Sequence, residues 1–347
     1  FAIGNALIGR IVDQFGMSKT LIISAIVNAV GFAGAIYVQS ITTLIILQFI
    51  IGFGTAAAFG PLIADVSHWF LKRRGIAVAI TASGNYFSGA IWPLLLSATL
   101  ESDGWRAVYF LLALTTPIVI IPLAILLRRQ VSAQTAQISD KASELKRKRM
   151  AVSSNILIFL LSLAGLGCCV AMSMPQVHIV AFCVDLGYGP TAGSEMLSLM
   201  LFGGIISRLI SGMTADWLGG INTLLIGSTL QCLSLFLYLP FDGLVPLYIV
   251  SLVFGLSQGG IVPSYAIIVR EYLPSASAGE KIGLVMMTTI LGMALGGWMS
   301  GWIYDVTGSY KIAFSNGILW NFINISIVLF LLISSKRSKK WFTHGPT

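Results

Sequence analysis

Ten stretches of almost unbroken apolar residues, near 20–38, 41–64, 75–98, 106–127, 153–181, 191–211, 222–239, 245–268, 282–303 and 311–334, are set apart by clusters of glycine, proline and charge. Each approaches the roughly 20 helical residues that cross a hydrocarbon core. Inside a bilayer no water satisfies the backbone, so such segments are predicted to be helices. A shorter apolar piece, 1–9, would rise only about 14 Å as helix and is expected to be the tail of a helix that starts upstream. The predicted fold class is an all-α polytopic membrane protein.

Composition supports this reading: 56% of the 347 residues are hydrophobic and 10% charged, with a mean hydropathy of +0.89, where a soluble domain carries about a quarter charged residues. The net charge of +8 matters through its placement. By span parity 18 of the 21 basic residues fall on one side of the membrane. Only Arg106 and Lys311 lie on the other side, and Arg208 lies within an apolar span. Lysine and arginine accumulate in cytoplasmic loops, so the central linker and the C-terminus are expected in the cytoplasm. Basic residues scattered over loops do not form the single face that nucleic acid requires, and no nucleic-acid partner is expected. The only long polar connection, 128–151, holds seven basic residues and divides a half at 1–127 from a half at 152–335, with a tail at 336–347. It is expected to be a partly helical or disordered linker beside the lipid headgroups.

The two halves repeat in the same direction. Gly9-Arg10-Ile11-Val12-Asp13-Gln14-Phe15-Gly16 recurs 203 residues later as Gly212-Met213-Thr214-Ala215-Asp216-Trp217-Leu218-Gly219. An offset of 208 carries Gly75, Gly84 and Gly89 onto Gly283, Gly292 and Gly297. Parallel repeats are a common build of transporters. Projected backwards, the repeat implies about 50 further residues upstream, holding the first helix and part of the second.

The glycine-x-x-x-aspartate-x-x-glycine turn in each half, the basic Lys72-Arg73-Arg74-Gly75 loop and the six-plus-six repeat joined by a basic linker resemble the major facilitator superfamily over essentially the whole chain. His68-Trp69-Phe70-Leu71-Lys72-Arg73-Arg74-Gly75, Gly104-Trp105-Arg106-Ala107 and Asp185-Leu186-Gly187 are more narrowly similar to bacterial monocarboxylate porters, including oxalate/formate-type antiporters. The resemblance implies secondary transport by alternating access, a bacterial inner-membrane location and a monomer. It also implies that the loops of Asp13 and Asp216 brace one half against the other. A carboxylate there can neutralise the N-terminal end of a neighbouring helix. Gly9, Gly16, Gly212 and Gly219 permit the close turn, and Arg10 supplies charge that the second copy lacks, which makes Asp13 the better gate candidate.

Arg208 is the sharpest candidate for binding. A guanidinium within an apolar helix costs at least a few kcal/mol, so it is expected to face either an anionic substrate carboxylate, through its fork geometry, or a structural partner. Monocarboxylate porters resemble this chain in carrying an arginine here, but with an acid four residues earlier, where this chain has Gly204. Oxalate-type exchangers add a lysine midway along the eleventh helix, whereas this chain offers only Lys281 at that helix's start. One buried cation favours a monoanion. Asn85, Tyr86, Gln258 and Tyr265 are further candidates to hydrogen-bond substrate, among embedded polar groups that include Asn5, Gln176 and Gln231. His178 is a candidate for proton coupling, histidine being the residue type that ordinarily changes charge near neutral pH.

The expected function is therefore movement of a small organic anion, driven by a proton or counter-anion gradient. Efflux of drug-like compounds is the alternative, with a non-transporting sensor or an enzyme behind it. Enzymatic chemistry would need converging acid, base, nucleophile or metal ligands. The three histidines are scattered, and Cys168, Cys169, Cys183 and Cys232 lack metal-site spacing. No cofactor or metal is expected.

Overall fold

The computed structural model describes residues 1–70, 72–128, 133–148 and 150–343, and every regular element among them is helical. Leu71, 129–132, Arg149 and 344–347 lie outside the described residues, as do the side chains of 336–343 in the expected tail. The first half contains α1 (Ala2–Phe15), α2 (Met17–Ile36), α3 (Ile41–Thr55), a 3-10 turn at Ala56–Ala58, α4 (Gly60–Trp69) and α5 (Arg74–Leu126). The linker forms α6 (Ala133–Lys148). The second half contains α7 (Ser154–Asp185), α8 (Gly189–Leu218), α9 (Gly220–Leu237), α10 (Leu244–Gln258), α11 (Ile261–Tyr272), α12 (Ala278–Thr307) and α13 (Tyr310–Thr343).

Nine segments among the described residues are long and apolar enough to cross a membrane, with α3–α4 and α10–α11 each running on as one span. α5 is two arms folded at Gly104, whose φ of 78° and ψ of 178° break the helix. Only glycine reaches that conformation without strain. Beside it, Arg106 stacks 4.3 Å from the centre of the Trp105 ring and donates to the carbonyls of Ile36 and Val38 at 3.1 and 2.9 Å. The Gly104-Trp105-Arg106 motif thus turns the chain and caps the end of α2, whose last carbonyls have no helical partners.

The repeat reappears in three dimensions. α1 packs on α12, and α8, the repeat partner of α1, packs on α5, the repeat partner of α12. The turn glycines coincide in conformation, Gly16 at φ 85°, ψ 157° and Gly219 at φ 83°, ψ 161°. At both junctions the backbones touch. A β-carbon on Gly75 would lie 2.2 Å from the Gly212 carbonyl oxygen, and one on Gly9 would lie 2.3 Å from that of Gly279. Lipid gives helices no hydrophobic reason to associate, so small residues and the close packing they permit hold the two halves together.

Candidate functional site

The site is built around Arg208, which stands ten residues, about 15 Å, from the linker-side end of α8 and nineteen residues from its other end. Its exposure is 2%. The guanidinium stacks 3.6 Å from the centre of the Tyr86 ring on α5. Its Nε donates to the Gly259 carbonyl at 3.0 Å and its Nη1 to the Ala82 carbonyl. The sequence explains why Gly259 can accept: four residues on stands Pro263, which has no N–H to close the helical bond. The Tyr86 hydroxyl donates to Gln258 Oε1 at 3.2 Å and accepts from Gln176 Nε2 at 3.5 Å. Gln258 is fully buried, and its Nε2 has no partner among the described residues.

Gly204 acquires a physical meaning here. A β-carbon at that position would stand 2.4 Å from Cε2 of Tyr86. The missing side chain makes room for the ring, whose negative face attracts the cation. An aromatic face therefore occupies the place where the resembling porters have a carboxylate.

Arg208, Tyr86 and Gln258 come together, and Gln176 joins them. Asn85, next in chain to Tyr86, is exposed and outside this network. Tyr265 is buried away from it, its hydroxyl donating to Asn324 Oδ1 at 3.1 Å between α11 and α13. His178 also stands apart, with Nε2 2.8 Å from the Gly297 carbonyl and its ring 5.8 Å from that of Tyr310.

On the linker side, two carboxylates cap helices of the opposite half. Asp13 accepts from the backbone N–H of Gly279 and Glu280 at 3.1 and 2.9 Å, at the start of α12. Asp216 accepts from those of Gly75 and Ile76 at 2.6 and 3.1 Å, at the start of α5. Each meets a positive helix end with unpaired N–H groups. Burial raises the Asp13 carboxyl above its ordinary value, with the two N–H bonds acting against it. Arg10 adds an ion pair to Glu280 at 2.8 Å. The second copy lacks that ion pair yet makes both capping bonds, so the ranking of Asp13 over Asp216 is not visible in this geometry. Both carboxylates thus tie one half to the other on this side.

The linker supplies contacts that its basic, polar composition concealed. Ser139 Oγ on α6 accepts from Arg74 of the first half at 2.8 Å and from Arg270 of the second at 2.9 Å. Arg74 also donates to the Arg270 carbonyl at 3.3 Å, and Ser143 donates to the same oxygen at 2.9 Å. Asp140 accepts from the N–H and hydroxyl of Ser275 at 2.8 and 2.7 Å. A cavity of about 260 Å³ lies beneath, lined by Arg74, Ser139, Lys146, Asp216 and Glu271 among others. Arg270 was expected among the loop cations, but its side chain is fully buried. The available signal was its place directly after an apolar run with no polar spacer.

The family model described as Major Facilitator Superfamily matches residues 1–279 and 184–346. Monocarboxylate transporter 13 of Rattus norvegicus is 27% identical over 320 residues, covering 90% of this chain and 72% of that protein. The Agnestins efflux protein AgnL12 of Paecilomyces divaricatus is 22% identical over 334 residues, covering 92% and 73%. Among solved structures, that of the human organic anion transporter MFSD10 (TETRAN) superposes with a TM-score of 0.77 at 14% identity, covering 94% of this chain and 80% of that one. The chain, a helical membrane protein built as two repeated halves, belongs to the Major Facilitator Superfamily.

Proposed function

We propose that this protein is a secondary transporter of a small organic anion, most readily a monocarboxylate, and that Arg208 binds the carboxylate. The observation that carries this reading is the buried Arg208 guanidinium at the junction of the halves, held by carbonyl oxygens and an aromatic face. These neutral partners leave its charge uncompensated. A carboxylate would displace the Ala82 carbonyl and meet the fork, with the unpaired Gln258 Nε2 as a further donor. Since Ala82 and Tyr86 belong to one half and Arg208, Gln258 and Gln176 to the other, ligand exchange at the guanidinium alters the contact between halves. Alternating access needs such coupling around a midplane site. Relatives named as monocarboxylate transporters support the substrate class. In this reading the braced linker side is cytoplasmic, and a proton or counter-anion gradient supplies the drive.

The test is uptake into liposomes by the reconstituted protein, over a panel of small monocarboxylates, with an imposed proton gradient or with internal counter-anion. Wild type is expected to accumulate at least one of them and Arg208→Gln to lose at least tenfold of that rate while keeping its fold. Unchanged uptake in Arg208→Gln would leave Arg208 a purely structural tie. Transport restricted to neutral or cationic compounds would favour the efflux reading, toward which the fungal efflux relative points.

A further inference from the structure

A groove of about 490 Å³ runs between α7 and α12 from the linker side into the membrane. Its wall is apolar, with Ile158, Phe159, Leu163 and Leu166 on α7 and Leu284 on α12. Its outer end is polar, with Asn155 on α7 and Lys281 on α12. Asn155 and Leu166 are eleven residues apart, about 16 Å of helix, or roughly one leaflet of hydrocarbon. The groove faces away from the interface between the halves. α12 turns Gly279 and Gly283 toward α1, whereas Phe159 and Leu163 are exposed.

One charged group in this groove has an unmet demand. Lys281 has no carboxylate partner among the described residues, because the adjacent Glu280 is paired with Arg10 at 2.8 Å. Lys281 is also absent from the Arg208 network, so its charge is not committed to the central site.

We propose that this groove binds one anionic phospholipid, with its phosphate at Lys281 and Asn155 and an acyl chain along Phe159, Leu163 and Leu166. The depth of the polar end selects a molecule of the bilayer, since a lysine at a helix end reaches the headgroup level. The positive charge selects among lipids, because a basic residue at the surface attracts anionic headgroups. The apolar wall then takes the chain that a soluble anion lacks.

The experiment uses the protein in nanodiscs containing phosphatidylglycerol or phosphatidylcholine that carries a diazirine in the acyl chain, with crosslinked peptides mapped by mass spectrometry. Phosphatidylglycerol is expected to label 158–166 and 284–288 about fivefold more than phosphatidylcholine, the preference one interfacial lysine provides. Lys281→Gln should equalise the two lipids. Leu163→Trp, which fills the groove and leaves the charge in place, should remove labelling by both. Equal labelling by both lipids in wild type, or a phosphatidylglycerol preference that survives Lys281→Gln, would overturn the proposal. Crosslinks spread evenly over exposed α2 and α9 would overturn it as well, since they would mean an unselective lipid annulus.

Discussion

The Arg208 site depends on single atoms that neighbouring residues give up. Pro263 withholds an N–H and leaves the Gly259 carbonyl to accept at 3.0 Å. Gly204 withholds a β-carbon that would stand 2.4 Å from Tyr86. Gly204→Ala is therefore expected to push the Tyr86 ring off the guanidinium and weaken substrate affinity. The cation–π contact contributes about 0.5–2 kcal/mol, so the apparent KM for uptake should rise by several fold. Tyr86→Phe keeps the ring and loses the hydroxyl's bond to Gln258, about 1 kcal/mol, with the longer one from Gln176, and should raise KM less than Gly204→Ala does. The same two variants with equal and wild-type KM would remove Tyr86 from the site. Arg208 was legible in the sequence because a charge in an apolar run demands an explanation. Its partners were not, since two are backbone carbonyls and the third is an aromatic ring from the opposite half.

At the scale of elements, two carboxylates on the linker side cap two helix ends of the opposite half. The resemblance implies a bracing role for the loops of Asp13 and Asp216, and the capping bonds across the halves are the geometry such a role would use. The burial of Arg270 was not foretold, because loop charge counting assigns a residue to a side of the membrane and says nothing of its packing. Asp13→Asn and Asp216→Asn each remove a charge from a helix N-terminus, where it contributes about 0.3–1 kcal/mol. Each is expected to open the linker side in a fraction of molecules, read as a longer distance between spin labels at Lys19 and Trp217. Gly75→Ala should act more strongly, since its β-carbon would meet the Gly212 carbonyl at 2.2 Å and part α5 from α8. An unchanged distance distribution in Gly75→Ala would contradict the close backbone contact.

For the whole molecule, α6 turns a basic linker into a strap across both halves. Ser139 is shared by Arg74 and Arg270, one from each half, and Asp140 holds Ser275. The paired variant Ser139→Ala with Asp140→Asn should lower the stability of the linker side by about 1–2 kcal/mol, the scale of bonds to charged groups. Thermal melts and the same label distances would report it. The two-half architecture was readable from the internal repeat alone, whereas the strap was hidden because polar and charged residues on a short helix look alike whether solvated or docked. In the proposed function a buried cation between the halves recognises a carboxylate. Its most direct test is equilibrium binding of a transported monocarboxylate and of its neutral amide to the purified protein, in wild type and Arg208→Gln. Wild type is expected to bind the acid at least tenfold more tightly than the amide, and the difference is expected to vanish in Arg208→Gln. Equal binding of acid and amide in wild type, or an acid preference that persists without Arg208, would contradict it.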